Sequence, residues 1–192
     1  LFNVSIFGAP LNEKENYHGP GEDEISECYK KGDHDPEGCN KRCPDKNPVR
    51  DKYGIRVMCL GNSITQDNVN YEDHTGPRSR DVRYAYRPYL YKKLKDNGLE
   101  NVDFVGTNCN GSAFKSPFDI NHQGYAGAKI HQISPFIEQW LETHKPDVIL
   151  LHIGTNDICV KYGYLGFPTK ELAELLEKIK NNKHCSNTVT LV

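Results

Sequence analysis

Ile55-Arg56-Val57-Met58-Cys59-Leu60-Gly61-Asn62-Ser63-Ile64-Thr65 is the stretch whose reading decides the fold. An apolar, strand-like run, Ile55–Leu60, ends in a turn of small and polar residues. The arrangement returns far downstream in Val148-Ile149-Leu150-Leu151-His152-Ile153-Gly154-Thr155-Asn156-Asp157. Short apolar runs bounded by such turns read as buried strands. In an open parallel sheet, ligands bind beyond the carboxyl ends of adjacent strands, where the winding direction reverses. The two strand ends present a hydroxyl, Ser63, and an amide, Asn156. Together these are half of an acyl-transfer site.

The sequence between and beyond these runs alternates helix and strand patterns. Pro88 suits a first helical turn, and Tyr86, Leu90, Tyr91 and Leu94 form a helical stripe that Gly98 ends. Val102–Val105 is a second strand. Ile130, Ile133, Ile137, Trp140, Leu141 and His144 recur at helical spacing before Pro146-Asp147 opens the strand at Val148. Thr169 is a helix cap, Leu172, Leu175, Leu176 and Ile179 are the stripe it leads into, and Thr188–Val192 is a last strand. Strands separated by helices imply an α/β fold with a parallel sheet and right-handed crossovers.

Residues 1–52 differ in character. They are rich in Gly, Pro, Asn, Asp, Glu and Lys, and have few large apolar residues after Phe7. They cannot build a core of their own. They read as a polar arm, stapled around Cys28–Cys43, ahead of a domain spanning residues 53–192.

A net charge of −2, with both signs interspersed, gives no electrostatic footprint for nucleic acid or an anionic membrane. The longest apolar runs are far too short to span a bilayer. Seven cysteines is a high count for an intracellular enzyme of 192 residues. Cys28, Cys39, Cys43, Cys109, Cys159 and Cys185 sit in loop-like sequence, which fits an oxidised, secreted protein. Cys59, inside a strand, is the thiol expected to stay free. Asn3-Val4-Ser5 and Asn110-Gly111-Ser112 are glycosylation sequons of low individual weight. No intact signal peptide is visible, and the start at Leu1 without a methionine fits a processed or partial product.

Ile55-Arg56-Val57-Met58, Gly61-Asn62-Ser63-Ile64-Thr65, Tyr86-Arg87-Pro88-Tyr89-Leu90, Val102-Asp103-Phe104-Val105-Gly106, Gly124-Tyr125-Ala126-Gly127 and Leu151-His152-Ile153-Gly154-Thr155-Asn156-Asp157 occur in this order. In that ordered set the chain resembles the SGNH (GDSL-type) hydrolases, and within them the carbohydrate esterases that deacetylate xylan. The resemblance implies a three-layer sandwich around a flavodoxin-like parallel sheet, lacking its last strand and helix within these residues. It implies an acyl-enzyme mechanism without metal or cofactor, with Ser63 as nucleophile. The oxyanion donors it implies are the backbone N–H groups of Ser63 and Gly127 and the side chain of Asn156. Gly124 is the rival to Gly127. Taken alone, Ser63 reads as a helix cap and Asn156 as an Asx turn. Asn62 stands where the family has an aspartate that is not a triad member, so one negative charge is missing beside the nucleophile.

The family's base comes from an Asp-x-x-His motif after a fifth strand, and no such motif follows Asn156 here. His152 reads as a near-core residue and His122 as a cleft residue facing substrate. His184 follows the last helix without an aspartate. His18, His34, His74, His131 and His144 read as surface residues, so no histidine is assigned as base. Asp33, Asp35 and Glu37 lack the closing glutamate of a calcium loop. His34, Cys39 and Cys43 fit disulfide pairing better than zinc. Tyr84, Tyr86, Tyr89 and Tyr91 fit helix packing better than sugar stacking, and Arg78, Arg80, Arg83 and Arg87 read as a solvated face. The strand Thr188–Val192 is expected to have its outer edge covered, by further chain, a retained fragment or a neighbouring subunit. The expected partner is acetylated polysaccharide. A non-catalytic carbohydrate-binding or assembly module is the alternative.

Overall fold

The computed structural model describes residues 54–67, 79–116, 118–158, 168–184 and 187–192. The arm 1–52, its cysteines and possible metal ligands, and the sequon at Asn3 lie outside them. So do Cys159, Cys185, His74 and Arg78.

β1 (Ile55–Gly61) is the central strand, and all of it beyond Ile55 is buried. β2 (Val102–Val105) runs parallel along its first half, pairing Ile55 with Val102 and Met58 with Val105. β5 (Val148–His152) runs parallel along the opposite edge, pairing Val57 with Val148 and Gly61 with His152. β4 (Asn121–Gly124) takes over from β2 at the end of β1, pairing Gly61 with Gly124. β3 (Asn108–Cys109) lies antiparallel on β4, and β6 (Val189–Leu191) is parallel to β5. The order is β3-β4-β1-β5-β6, with β2 also on β1.

Alternation along β1 divides the core into two layers. Met58 and Leu60 face α3 (Ile130–Ile133), α4 (Ile137–His144) and α6 (Thr169–Lys180), packing with Ile133, Trp140, Leu141, Leu175 and Ile179. Val57 and Cys59 face the other way, with Phe104 and the Tyr86, Leu90, Tyr91 and Leu94 stripe of α2 (Arg87–Asp96). Each fully buried side chain of this size contributes about 1.5–3 kcal/mol. Helices on both faces of the sheet make the three layers. The crossover from β1 to β2 lies on one face and that from β4 to β5 on the other, so the switch point falls between β1 and β5.

Several local readings change. The stripe from Ile130 to His144 is two helices, because Pro135 lacks an N–H and breaks the ladder. Thr169 is the first helical residue and Pro168 holds the cap position. Arg87 is not part of a solvated face. It is fully buried, donating to the carbonyls of Arg83, Asn110 and Ile120 at 2.6–3.2 Å, and so staples two loops to α2. Asn110 is equally enclosed, beside the Arg80 Nε at 3.3 Å and the His122 ring at 2.8 Å, so its sequon cannot carry a glycan in the folded protein. Among the tyrosines, Tyr91 packs edge-on against Phe104 in the core layer, whereas Tyr84 and the exposed Tyr89 meet Phe114 outside it. Cys59 is free and buried, and burial pushes its thiol up to about 11. Cys109 is disulfide-bonded. β6 leaves Val189, Leu191 and Val192 more than half exposed. No helix among the described residues is long and apolar enough to cross a membrane.

A buried carboxylate makes the fold pH-sensitive. Asp119 accepts the N–H groups of Phe104 and Asn121 at 2.8 and 3.1 Å. Burial, opposed by these bonds and reinforced by Asp103, raises its pKa from 3.8 to about 7. A raised folded-state pKa means the folded protein holds the proton more tightly than the unfolded chain does. That stabilisation is complete below the unfolded pKa and is lost as pH rises through the folded one. The stability of the parent relative to Asp119→Asn should therefore fall by roughly 3–4 kcal/mol as pH rises from about 4 to 8. Urea midpoints across that range test this, and a constant difference would refute it.

Candidate active site

β1 ends at Gly61, and the chain turns at once into a single helical turn, α1 (Ser63–Gln66). A Cβ on Gly61 would collide with the His152 carbonyl oxygen and lie 2.5 Å from Thr65 Oγ1, so only glycine lets this turn close against β5. Asn62 is the N-cap. Its side chain accepts the Ile64 N–H at 3.0 Å, and its own N–H donates to the His152 carbonyl at 3.3 Å. The capping reading of Ser63 is thereby displaced. Ser63 sits one residue later, half-buried at the first helical position, where backbone N–H groups have no intrahelical partner.

The segment 124–130 lies against α1. Gly124 is pressed onto the helix, where a Cβ would come within 2.8 Å of the Gln66 nitrogen and the Thr65 methyl. Its N–H donates to His122 Nδ1 at 3.0 Å. Gly124 therefore has neither the room nor a free donor to meet a ligand. Gly127 has a φ of 76° and open space where its Cβ would stand, and no hydrogen bond engages its N–H among the described residues. Bonds fix the chain on both sides of it. Tyr125 N–H donates to the Gly61 carbonyl at 2.9 Å and Ala126 N–H to Gln66 Oε1 at 2.8 Å.

The far side is held from α5 (Thr155–Ile158), the short helix after β5. Asn156 Nδ2 donates to the Ala128 carbonyl at 2.9 Å, its second amide proton having no partner among the described residues, and the Asp157 carboxylate accepts the Ile130 N–H at 3.0 Å. Asn156 is thus not an Asx turn closing its own strand. Burial raises the Asp157 pKa, opposed by that N–H. Ser63, Gly127 and Asn156 thus lie in the segments that follow the carboxyl ends of β1, β4 and β5.

Three histidines, His122, His152 and His144, fall elsewhere than expected, whereas His131 is exposed as read. His122 is wholly buried, with Nδ1 on Gly124 and Nε2 on the Asn110 amide. Burial, reinforced by Arg87, Arg80 and Arg83, holds its pKa well below 6.5, so it is a neutral strut and no substrate contact. His152 is exposed rather than near-core. His144 is only partly exposed, and burial and Arg56 lower its pKa to about 4. It ends α4, which leads into the amino-terminal end of β5, and His184 pairs there with Glu142 at 3.5 Å. Both stand at the opposite end of the sheet from Ser63.

A family model described as GDSL-like lipase/acylhydrolase matches residues 57–190. The chain belongs to this family. The GDSL domain is 33% identical over 158 residues to a multidomain esterase of Ruminococcus flavefaciens, covering 71% of this chain and 18% of that protein. It superposes on the family 3 carbohydrate esterase of Clostridium thermocellum with a TM-score of 0.57 and 33% identity, covering 71% of this chain and 59% of that one. A family 3 carbohydrate esterase of Talaromyces cellulolyticus shares the fold at 24% identity, with a TM-score of 0.53 over 67% of this chain and 57% of that one. The chain thus spans under a fifth of the multidomain esterase and under three fifths of these two solved structures. Within a GDSL frame, the residue the sequence did not reveal as part of the site is Gln66. It has no motif of its own, and only its proximity to a segment 60 positions away marks it.

Proposed function

We propose that this GDSL protein is a secreted serine esterase that removes acetyl groups from a polysaccharide such as xylan, through an acyl-enzyme on Ser63. The observation that supports the proposal is that Ser63, Gly127 and Asn156 each lie in the segment that follows the carboxyl end of one of the adjacent strands β1, β4 and β5. The names of the multidomain esterase and the family 3 carbohydrate esterase support the substrate class. Ser63 Oγ attacks the ester carbonyl carbon and passes its proton to a base. The resulting oxyanion is met by the N–H groups of Ser63 and Gly127 and by the Asn156 amide, donors placed before the charge develops. The tetrahedral adduct expels the sugar oxygen, which takes the proton back. Water then attacks the acyl-Ser63 carbonyl and releases acetate.

The base is proposed to come from an Asp-x-x-His segment packed beyond β6, whose exposed Val189, Leu191 and Val192 offer an apolar edge to further polypeptide. Secretion is supported by the cysteine count and the bonded Cys109. Thiol counting under denaturing, non-reducing conditions should find at least two disulfides. Seven free thiols would refute the secreted reading.

The second reading is a non-catalytic carbohydrate-binding or assembly module that keeps the fold without the base. Acetate release from acetylated xylan by the full-length protein separates the two. Ser63-dependent release supports the esterase. Xylan binding without release, in a protein whose peptide map contains no Asp-x-x-His partner, supports the module.

A further inference from the structure

The Gly127 turn is fastened to the nucleophile's own helix by one side chain, and nothing in the reaction above uses that side chain. β4 ends its pairing with β1 at Tyr125, whose N–H reaches the Gly61 carbonyl at 2.9 Å. The next N–H, on Ala126, has run out of sheet. Gln66 fills the gap: its Oε1 accepts that N–H at 2.8 Å across 60 residues of sequence. Gln66 is the last residue of α1, whose first residue is Ser63. The same turn is constrained on its other side by Asn156 Nδ2 on the Ala128 carbonyl and by Asp157 on the Ile130 N–H. Gly127, with open space where a Cβ would stand, therefore has its peptide plane set by its neighbours' bonds.

We propose that Gln66 is a positioning residue of the oxyanion site: by accepting the Ala126 N–H, its carboxamide fixes the direction of the Gly127 N–H relative to Ser63. Gln66 acts through Ala126 and touches no reacting atom. The contribution is kinetic, because a half-buried surface turn can lose one N–H acceptor to water with little change in stability. The oxyanion donor, by contrast, must meet the charge as it forms, and a misplacement of about 1 Å costs on the order of 10²-fold in rate. The inference rests on the esterase reading of Ser63.

The test compares Gln66→Met, which keeps length and removes the acceptor, with Gln66→Glu, which keeps an oxygen acceptor, in the full-length protein hydrolysing 4-nitrophenyl acetate. Gln66→Met is expected to lower kcat roughly 10- to 100-fold, with KM changed less than about twofold and the thermal midpoint within about 2 °C of the parent. Gln66→Glu is expected to recover at least a tenth of the lost rate at low pH, where protonation removes its charge while its carbonyl still accepts. The ratio of its rate to the parent's should then rise as pH falls through the glutamate range, about 4.3. A Gln66→Met rate within twofold of an active, Ser63-dependent parent overturns the proposal alone, as does a loss that follows a falling thermal midpoint or an equal loss in both variants at every pH. A parent that neither hydrolyses the ester nor takes a phosphonate label at Ser63 overturns the esterase reading, and this proposal with it.

Discussion

Ser63→Ala is expected to lower 4-nitrophenyl acetate hydrolysis by the full-length protein roughly 10⁴-fold or more. A serine-directed phosphonate is expected to label the parent at Ser63 and to leave the variant unmodified. No other hydroxyl takes over, because the donors that would stabilise the adduct are built around this one position. The folded protein should scarcely register the change. Helix capping belongs to Asn62, and the Ser63 hydroxyl makes no hydrogen bond among the described residues. A stability change within about 0.5 kcal/mol is therefore expected. Undiminished hydrolysis would remove Ser63 from the site, and labelling at another residue would move the nucleophile there.

What made the fold legible was the contrast between two apolar runs and the small-residue turns that end them. β1 is buried and β5 buried or half-buried up to Leu151 because Ile55–Leu60 and Val148–Leu151 are apolar apart from Arg56, which is buried against Asp103. Ser63 and Asn156 were legible for the same reason, since each follows one of these runs. β4 was not. Asn121-His122-Gln123-Gly124 has the composition of a loop, and it becomes a buried strand only because its polar groups find partners elsewhere. His122 binds Asn110 and Gly124, and Gln123 binds Thr107 and the Tyr125 hydroxyl. Those partners are distant in sequence or defined by tertiary geometry, so no periodicity announces them.

The same cause misplaced the charged and titratable groups. His122 looked like a cleft residue because it lies two positions before Gly124, but strand alternation and the Asn110 contact turn it inward. Arg87 resembled its neighbours Arg80 and Arg83, yet it lies under two loops whose carbonyls it satisfies. A buried guanidinium of this kind is tolerated only when most of its donors are met, a condition that composition cannot display. The preference for Gly127 over Gly124, which came from the resemblance, fits the local packing: a Cβ on Gly124 would press on α1, whereas at Gly127 the space where a Cβ would stand is open and the flanking residues are bonded.

Gly61→Ala should damage both folding and catalysis, and from one cause. The added methyl would collide with the His152 carbonyl oxygen, a main-chain atom paired into the β1–β5 ladder, and would stand 2.5 Å from Thr65 Oγ1. A flexible side chain could turn aside; a ladder carbonyl cannot. β1 and β5 must separate at their carboxyl ends, or the turn into α1 must swing outward. Either response disturbs the Asn62 N–H bond to that same carbonyl and carries Ser63 with it. Overpacking of this kind costs typically 1–3 kcal/mol, and a shift of about 1 Å at the nucleophile costs on the order of 10²-fold in kcat. A urea midpoint and a kcat measured on the same preparation check the two effects together. Thr65→Ala placed in the same chain should restore little of either, because the main-chain collision persists when the threonine oxygen is gone. Full restoration by Thr65→Ala would place the strain in α1 rather than between the strands. An unchanged midpoint and rate in Gly61→Ala would mean that β1 and β5 need not approach this closely for the site to form.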